Sequence, residues 1–363
     1  MNNTYAHLQQ NLKCIKTQHV QNRELKVKKM DINTHQKKTC RICNNYEHNT
    51  QFIAREMMFG FRDEFSYFKC NNCNCLQIAT FPDDMSKYYP ENYYSFNEYK
   101  GNIFNGFSGL LKKKKYFFLI TGGRFLRRIM DLFSGTNKFF IFQGLNISKN
   151  TKILDVGCGN GSNFLYPLAE IGFKNIRGCD PFLKASISYG NGLQIDNTHI
   201  FQTKGLWDVI TYHHSFEHLA DPMQHMKKVY KLLKPGGVCV IRIPTTSSFA
   251  WEHYGINWVQ LDAPRHFFLH SRESMQIIAE QSKLELYKTV YDSSHFQFLG
   301  SEKYINDESL RTPAPKGFMN KVRRKIQKHH YQKKAKLLNK QEKGDQAAFF
   351  FRKSSSQTSA NKT

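Results

Sequence analysis

The stretch KILDVGCGNGSNF (152–164) constrains the fold more than any other part of the chain, because three glycines follow an apolar run within five residues. The apolar run predicts a buried strand, and Gly157, Gly159 and Gly161 predict a tight turn into a helix. Glycine admits positive φ, and a backbone without Cβ lets a ligand approach closely. The stretch therefore predicts a strand, turn and helix that bind a nucleotide-like ligand.

Strand and helix patterns alternate between residues 152 and 292. This alternation predicts an α/β fold with a Rossmann-like, doubly wound, mostly parallel sheet that has helices on both faces. Sheets of this kind bind ligands at the carboxyl ends of their strands. Ser271 is a predicted helix N-cap, with Glu273 in the first turn of that helix.

The spacing of the glycines excludes two common phosphate sites. A dinucleotide site would need Gly or Ala where Ser162 stands, and a P-loop would need a Walker lysine. Asp155 precedes the glycines, where its carboxylate would repel a pyrophosphate but would attract an ammonium or a sulfonium. Asp180 ends the next strand about 20 residues further on, where a carboxylate typically binds ribose hydroxyls. The two acids together favour S-adenosylmethionine, which carries an amino acid, a sulfonium and a ribose.

Four stretches resemble, in the family's order, the motifs of class I S-adenosylmethionine-dependent methyltransferases. They are ILDVGCGNG, GCDP, WDVITYHHSFEHLADP and LLKPGGVCVIRIP, all within residues 152–244. The resemblance implies a cofactor site made of Asp155, Gly157, Cys158, Gly159, Gly161 and Asp180. It also implies that QAAFFFRK (346–353) is the antiparallel last strand of the sheet. Residues 251–271 further resemble a subgroup often found among bacterial surface-polysaccharide and sugar-modifying methyltransferases.

Two C-x-x-C pairs, separated by 26 residues, precede this region. The cysteines are Cys40, Cys43, Cys70 and Cys73. Four thiolates at this spacing predict a closed, structural zinc site, and reduced free thiols are the alternative. Cys75 follows so closely that it can replace Cys73 as the fourth ligand.

A four-cysteine module ahead of a methyltransferase domain resembles the sugar C-methyltransferases that act on nucleotide-linked deoxysugars. The resemblance implies that tyrosines at the end of the module reach the methyl acceptor. Tyr93 and Tyr94, in YYPENYYSF (88–96), are the candidates here. Packing between the two domains is the alternative role for both.

Histidines and a glutamate follow a predicted strand end in HHSFEHLADP (213–222). Histidine titrates near neutrality and can accept the proton of an acceptor hydroxyl or carbon. Strand alternation predicts that only one of His213 and His214 faces the cleft. The resemblance to sugar C-methyltransferases implies that Glu217 and His218 supply the base, and a structural role for His218 is the alternative. Ser215 stands where those enzymes have a tyrosine, which leaves O-methylation open beside C-methylation.

Two further residues, Arg265 and His266 in APRH, are candidates for the acceptor site. An arginine there would suit a phosphate or a carboxylate, and a surface salt bridge is the alternative.

The net charge of +24 resembles that of a nucleic-acid-binding protein, but it is concentrated at the two ends of the chain. Residues 1–38 carry +6 and residues 315–363 carry +12, so the body between them is nearly balanced. The stretch HHSF also lacks the prolines and the amide typical of base-methylating enzymes. We therefore expect a small-molecule acceptor, a nucleotide-linked sugar or glycan intermediate. An RNA methyltransferase and a non-catalytic cofactor-binding protein are the alternatives.

The predicted organisation has five parts. They are a disordered basic extension (1–38), a zinc module (39–96), a basic aromatic connector (97–148), a methyltransferase domain (149–353) with a basic helical insertion at about 296–344, and a disordered tail (354–363). Basic stretches at 110–133 and 321–340 can contact an anionic membrane surface, although most such runs are solvated helix faces. The absence of a signal sequence and of an apolar run of about 20 residues predicts a cytoplasmic location.

Overall fold

The computed structural model describes residues 38–90, 104, 106–121, 139–142 and 144–355. Tyr93 and Tyr94 lie outside the described residues, as do nearly all of the predicted N-terminal extension and most of the predicted tail. Within the described part of the chain, no helix is both long and apolar enough to cross a membrane.

The strands and helices are as follows. The strands are β1 (Thr50–Arg55), β2 (Glu64–Lys69), β3 (Leu76–Ile78), β4 (Ile153–Val156), β5 (Ile176–Cys179), β6 (Ile187–Ser188), β7 (Gln194–Asp196), β8 (Trp207–His213), β9 (Leu233–Pro244), β10 (Phe268–Leu269), β11 (Glu285–Tyr291) and β12 (Gln346–Arg352). The helices are α1 (Gly106–Thr121), α2 (Leu165–Ile171), α3 (Pro222–Leu232), α4 (Phe249–Tyr254), α5 (Arg272–Gln281), α6 (Phe296–Ile305) and α7 (Phe318–Lys340).

The large sheet has the strand order β11-β12-β9-β8-β4-β5-β7-β6. The strands β9, β8, β4, β5 and β7 pair in parallel, and β12 pairs antiparallel with both β9 and β11. The predicted fold class, including the antiparallel last strand, is confirmed. Successive side chains of β12 point to opposite faces of the sheet. Phe349 and Phe351 pack into one apolar cluster, and Phe350 packs into a second.

The cysteine-rich region has its own sheet, in the order β1-β2-β3-β10. Its last strand, β10, comes from the region after the large sheet's parallel strands, and Phe268 and Leu269 pair with Gln77 and Leu76 of β3. The backbone hydrogen bonds between β3 and β10 therefore tie the cysteine-rich region to the C-terminal half of the chain.

Two helix ends have the capping residues that local rules favour. Ser271 Oγ accepts a hydrogen bond from the backbone N–H of Ser274 at 2.9 Å, which caps α5 as predicted. The helix α2 ends at Gly172, whose φ of 109° is one that glycine adopts without strain. The helix α2 therefore follows the glycine turn directly, and α5 leads into β11.

Candidate active site

A cavity of about 1640 Å³ opens at the carboxyl ends of β4, β5, β8 and β9. Ligand pockets are typically about 300–1,000 Å³, so this cavity has room for a cofactor and an acceptor together. Asp155, Gly157, Cys158, Gly159 and Asp180 line one part of it. These are five of the six residues predicted to bind the cofactor.

Two positions of the glycine turn require glycine, because neighbouring side chains lie too close for a Cβ atom. Gly157 has φ +67°, and a Cβ on it would lie 2.6 Å from Ser215 Cβ. Gly161 has φ +72° and lies against Ile195, where a Cβ would be 2.8 Å from Cδ1. Gly161 therefore serves the packing of the turn behind the cavity, unlike the glycines that line it.

The two predicted cofactor-binding acids differ in their surroundings. Asp180 Oδ2 accepts a hydrogen bond from the Gly159 N–H at 2.8 Å, which holds the glycine turn against the end of β5. Asp155 is buried, and Thr211 Oγ1 donates to its Oδ1 at 2.7 Å. Burial raises the pKa of Asp155 to about 7, helped by the nearby charge of Asp180 and opposed by the Thr211 hydrogen bond.

The histidines at the end of β8 both line the cavity, so the expectation that only one of them faces it is wrong. His214 leaves the strand with φ +51°, which breaks the strand alternation. The ring of His213 packs 4.1 Å from the ring of Phe164. Burial lowers the pKa of His213 well below its usual range, so the ring is neutral at pH 7.

The lone pair of His214 is already occupied. Its Nε2 lies 2.7 Å from Arg242 Nη1, and a guanidinium can only donate. The ring proton of a neutral His214 therefore sits on Nδ1, which lies 3.4 Å from Glu217 Oε1. This arrangement leaves His214 without a free nitrogen to accept a proton from a ligand.

His218 has the opposite arrangement. It ends the short helical turn Phe216–His218, and its Nδ1 lies 2.7 Å from the carbonyl oxygen of Arg265. A carbonyl can only accept, so Nδ1 carries the proton and Nε2 keeps its lone pair. His218 lines the cavity, and within the described residues no hydrogen bond is made to its Nε2. His213 Nε2 also has no hydrogen-bond partner within the described residues, but it is buried, and the strongly lowered pKa of His213 makes it a poor proton acceptor. His218 is therefore the histidine of this segment best placed to act as a base.

Glu217 stands behind the histidines, fully buried, and does not line the cavity. Its Oε1 lies 3.4 Å from His214 Nδ1 and 3.9 Å from His266 Nε2. Burial alone would raise the pKa of Glu217, but His214, His218 and His266 lower it to about 2. Glu217 is therefore an ionised carboxylate that supports these rings electrostatically, and neither of its oxygens has a hydrogen-bond partner within the described residues.

Arg265 does not lie at the cavity, in contrast to the prediction that it contacts the acceptor. Its guanidinium is fully buried and donates to Asp262 Oδ1 at 2.6 Å and to Glu56 Oε1 at 3.0 Å. The surface salt bridge considered as the alternative is also wrong, because both carboxylates are largely or fully buried. Arg265 instead joins the cysteine-rich region to the segment that carries His218.

His266 is buried beside His218, with ring centroids 4.9 Å apart. Its Nδ1 lies 2.7 Å from the carbonyl oxygen of Gln260, and burial lowers its pKa to about 4. This neutral ring lies behind His218 and does not line the cavity, so its predicted contact with the acceptor is not supported.

One tyrosine at the end of the cysteine-rich region does reach the site. Tyr89 lines the cavity, and its hydroxyl lies 3.3 Å from His218 Nδ1. It belongs to the same YYPENYYSF stretch as the predicted Tyr93 and Tyr94. Tyr93 and Tyr94 lie outside the described residues, so their contact with the acceptor stays a prediction.

The four predicted zinc ligands converge. Their Sγ atoms lie within 4.8 Å of one another, with 3.6 Å between Cys40 and Cys73 and 3.5 Å between Cys43 and Cys70. A tetrahedral zinc site with bonds of about 2.3 Å places its sulfurs about 3.8 Å apart, so the geometry fits zinc. Gln77 Nε2 also donates to Cys40 Sγ at 2.8 Å, as suits a thiolate.

Cys75 takes a different position from the four converging cysteines. Its carbonyl oxygen accepts from the Cys70 N–H at 2.9 Å, as that of Asn45 accepts from Cys40 in the first C-x-x-C turn. The two turns therefore have matching backbone hydrogen bonds, with Cys75 in the place of Asn45. Its thiol faces His270 Nδ1 at 3.9 Å. This geometry favours Cys73 as the fourth ligand.

Comparisons with known proteins agree with this fold. Residues 124–289 match the sequence model of a family described as "Methyltransferase domain". This stretch of the chain is similar to methyltransferase domains. The strand order of the large sheet and its antiparallel β12 are those expected for the class I methyltransferase fold.

Curated relatives match about a third of this chain. A ubiquinone biosynthesis O-methyltransferase of Maricaulis maris is 32% identical over 138 residues, which cover 34% of this chain and 51% of that protein. One of Ruegeria pomeroyi is 29% identical over 127 residues, covering 31% and 50%. This chain thus spans about half the length of the curated relatives it matches. A solved S-adenosylmethionine-dependent methyltransferase of Archaeoglobus fulgidus aligns with 68% of this chain and all of its own, at 17% identity and a TM-score of 0.36.

The raised pKa of Asp155 gives the methyltransferase domain an expected pH dependence. The ionised carboxylate binds an ammonium group and the neutral acid does not, so protonation below about pH 7 should weaken cofactor binding. We expect the affinity for S-adenosylmethionine to fall by up to about tenfold per pH unit below pH 7, as calorimetric titration would show. Asp155→Asn should bind weakly at every pH. An unchanged affinity from pH 8 to pH 5.5 would contradict a contact between Asp155 and the cofactor.

Proposed function

We propose that this chain transfers a methyl group from S-adenosylmethionine to a hydroxyl group of a small acceptor, a nucleotide-linked sugar or a glycan intermediate. The observation that carries the proposal is the Nε2 of His218, which accepts no hydrogen bond from the described residues and belongs to a side chain in the cavity that the glycine turn lines. A base at this place is what an oxygen acceptor requires, since its proton must leave as the methyl group arrives.

The residues divide into those that hold the cofactor and those that act on the acceptor. Asp155 would pair with the ammonium, the glycine turn would lie along the methionine part, and Asp180 would bind the ribose hydroxyls. When bound, the cofactor supplies a methyl group on a positively charged sulfur. His218 Nε2 takes the acceptor's proton, and Glu217 stabilises the resulting imidazolium from behind.

The far part of the cavity supports an acceptor rich in hydroxyl groups. Gln297 is buried and its Oε1 has no hydrogen-bond partner in the described structure, and the same is true of the Oδ1 atom of Asp292. Both residues line the cavity, together with Gln332 and Lys336. Buried acceptor atoms require donors, which the hydroxyl groups of a sugar supply.

This polar part adjoins the histidines through Arg242. The guanidinium of Arg242 donates to His214 Nε2 at 2.7 Å and to Asp292 Oδ2 at 2.6 Å, so a single side chain connects His214 with Asp292. An acceptor bound by Asp292 and Gln297 would thus extend toward the residues that would carry out the transfer. We assign O-methylation rather than C-methylation, because Ser215 replaces the expected tyrosine and the relatives are named O-methyltransferases.

The relatives also supply a second candidate acceptor. They are named for ubiquinone biosynthesis, so a phenolic hydroxyl is the alternative to a sugar hydroxyl. The polar side chains around Gln297 favour the sugar, since a flat aromatic ring satisfies few of their hydrogen bonds.

The cysteine cluster would hold a structural zinc ion. Four thiolates leave no open position for a ligand, so the metal would stabilise the fold of residues 39–89 rather than take part in the transfer. Its indirect contribution is to hold Tyr89 and Glu56, which contact His218 and Arg265.

The acceptor is identified by following a labelled methyl group. The full chain is incubated with S-adenosylmethionine labelled in the methyl carbon and, in parallel, with nucleotide-linked sugars, catechol-type phenols and total RNA. We expect label on a sugar oxygen. Label on a phenol would select the second candidate, and label on a sugar carbon would reverse the assignment of O-methylation. Label in RNA would overturn the proposed acceptor.

A further inference from the structure

Helix α7 presents a row of apolar side chains on the side away from the protein core. Phe318, Met319 and Ile326 are 77%, 63% and 66% exposed. Ala335 of the same helix is buried in the apolar cluster beneath it. The nine residues from Ile326 to Ala335 make two and a half helical turns, so these two side chains leave the helix on opposite sides. The exposed row is therefore a second apolar face, distinct from the one that packs on the protein.

Positive charge surrounds this row. Residues 318–340 contain nine lysine and arginine residues and no acidic residue. Arg323 and Lys325 are exposed and flank Ile326 on its two sides, because they precede it by three residues and by one residue along the helix. Apolar residues bordered by cations on a single helix face are typical of helices that lie in a membrane interface.

We propose that the first three turns of α7, residues 318–328, lie on an anionic membrane surface. Phe318, Met319 and Ile326 would enter the boundary between headgroups and acyl chains, and Arg323 and Lys325 would contact lipid phosphates. A nucleic acid would use the cations but would leave the three large apolar side chains in water. The row therefore favours a bilayer over a nucleic acid. The inference does not depend on which acceptor the enzyme methylates.

Helix α1 has a related pattern and serves as a comparison. Phe107 and Leu111 are exposed and Ile120 is buried, and four consecutive lysines (112–115) lie between them. In α1 the two positions that lie between Leu111 and Phe118 on the helix surface are both lysines (Lys114 and Lys115), whereas in α7 Val322 lies between Phe318 and Ile326 at a spacing of four residues from each. The continuous row of α7 makes it the helix that we assign to the membrane.

The test is co-sedimentation of the full chain with vesicles. Vesicles of phosphatidylcholine alone are compared with vesicles in which a third of the lipid is phosphatidylglycerol. We expect binding to the anionic vesicles only, weakened at least about tenfold when NaCl rises from about 0.1 M to about 0.5 M. The double variant Phe318→Asp, Ile326→Asp should weaken binding by at least about tenfold more.

A matched control makes the same chemical change elsewhere. Leu206 and Ile256 are also exposed, and Leu206→Asp, Ile256→Asp removes similar apolar surface and adds the same charge. This control should bind vesicles like the parent chain, and all variants should keep the parent's thermal unfolding midpoint. Equal binding to neutral vesicles would overturn the proposal. So would full binding by the α7 variant, loss of binding only in Phe107→Asp, Leu111→Asp, or binding to RNA without binding to vesicles.

Discussion

Replacing His218 with glutamine is expected to slow methyl transfer by about a hundredfold to ten-thousandfold, the usual contribution of a general base. The reason lies in the hydrogen bonds of the three histidines. Arg242 occupies the lone pair of His214, whereas the proton on His218 Nδ1 points to a carbonyl and leaves Nε2 free. A glutamine keeps a polar side chain of similar reach but cannot accept the proton at neutral pH.

The measurement is the rate of label transfer to the identified acceptor, together with cofactor affinity by calorimetry. Cofactor affinity should not change, because the contacts predicted for the cofactor involve the glycine turn, Asp155 and Asp180. His253→Gln is the matched control, since His253 lies on α4 and does not line the cavity. Parent-like turnover in His218→Gln would remove His218 from the mechanism.

Replacing Cys43 or Cys70 with serine is expected to release zinc and to destabilise the chain. Each change removes one of four converging sulfurs, and structural zinc supplies folding free energy directly. The unfolded cysteine-rich region would also lose the pairing of β3 with β10 and the Arg265–Glu56 ion pair. Breaking such a buried pair costs about 3–5 kcal/mol by itself. We therefore expect a fall of about 10 °C or more in the thermal unfolding midpoint.

Elemental analysis of the purified chain measures the metal and should give one zinc per chain. Cys75→Ser is the matched control, because Cys75 is a buried cysteine whose thiol faces His270 outside the cluster of four. This control should keep its zinc. A parent chain that is fully folded without bound metal would contradict the zinc site, and zinc loss in Cys75→Ser would assign the fourth ligand to Cys75.

The parts of the site that the sequence predicted are those governed by local rules. Closely spaced glycines after an apolar run predict a turn, and the positive φ of Gly157, Gly159 and Gly161 agrees with that prediction. Asp155 and Asp180 lie at the same edge of the sheet, because both are at the ends of parallel strands. The apolar run that forms β12 is buried on both faces, so its place inside the sheet follows from its composition.

The parts that the sequence did not predict depend on contacts between distant residues. Arg265 binds Glu56, 209 residues away, and no local pattern distinguishes that buried pair from an arginine in an open acceptor site. The choice among the histidines likewise depends on Arg242, which lies on the neighbouring strand β9. Tyr89 and His218 are 129 residues apart in the sequence, so no local pattern could predict their contact either.

The central claim is that the glycine turn and its two acids bind S-adenosylmethionine, and calorimetric titration of the full chain at pH 8 tests it most directly. The account predicts that one cofactor molecule binds per chain. It also predicts that Asp180→Asn, which removes the charge expected to bind the ribose hydroxyls, weakens binding by about tenfold or more. A chain that binds no cofactor, or an Asp180→Asn variant that binds it as tightly as the parent, would contradict the account.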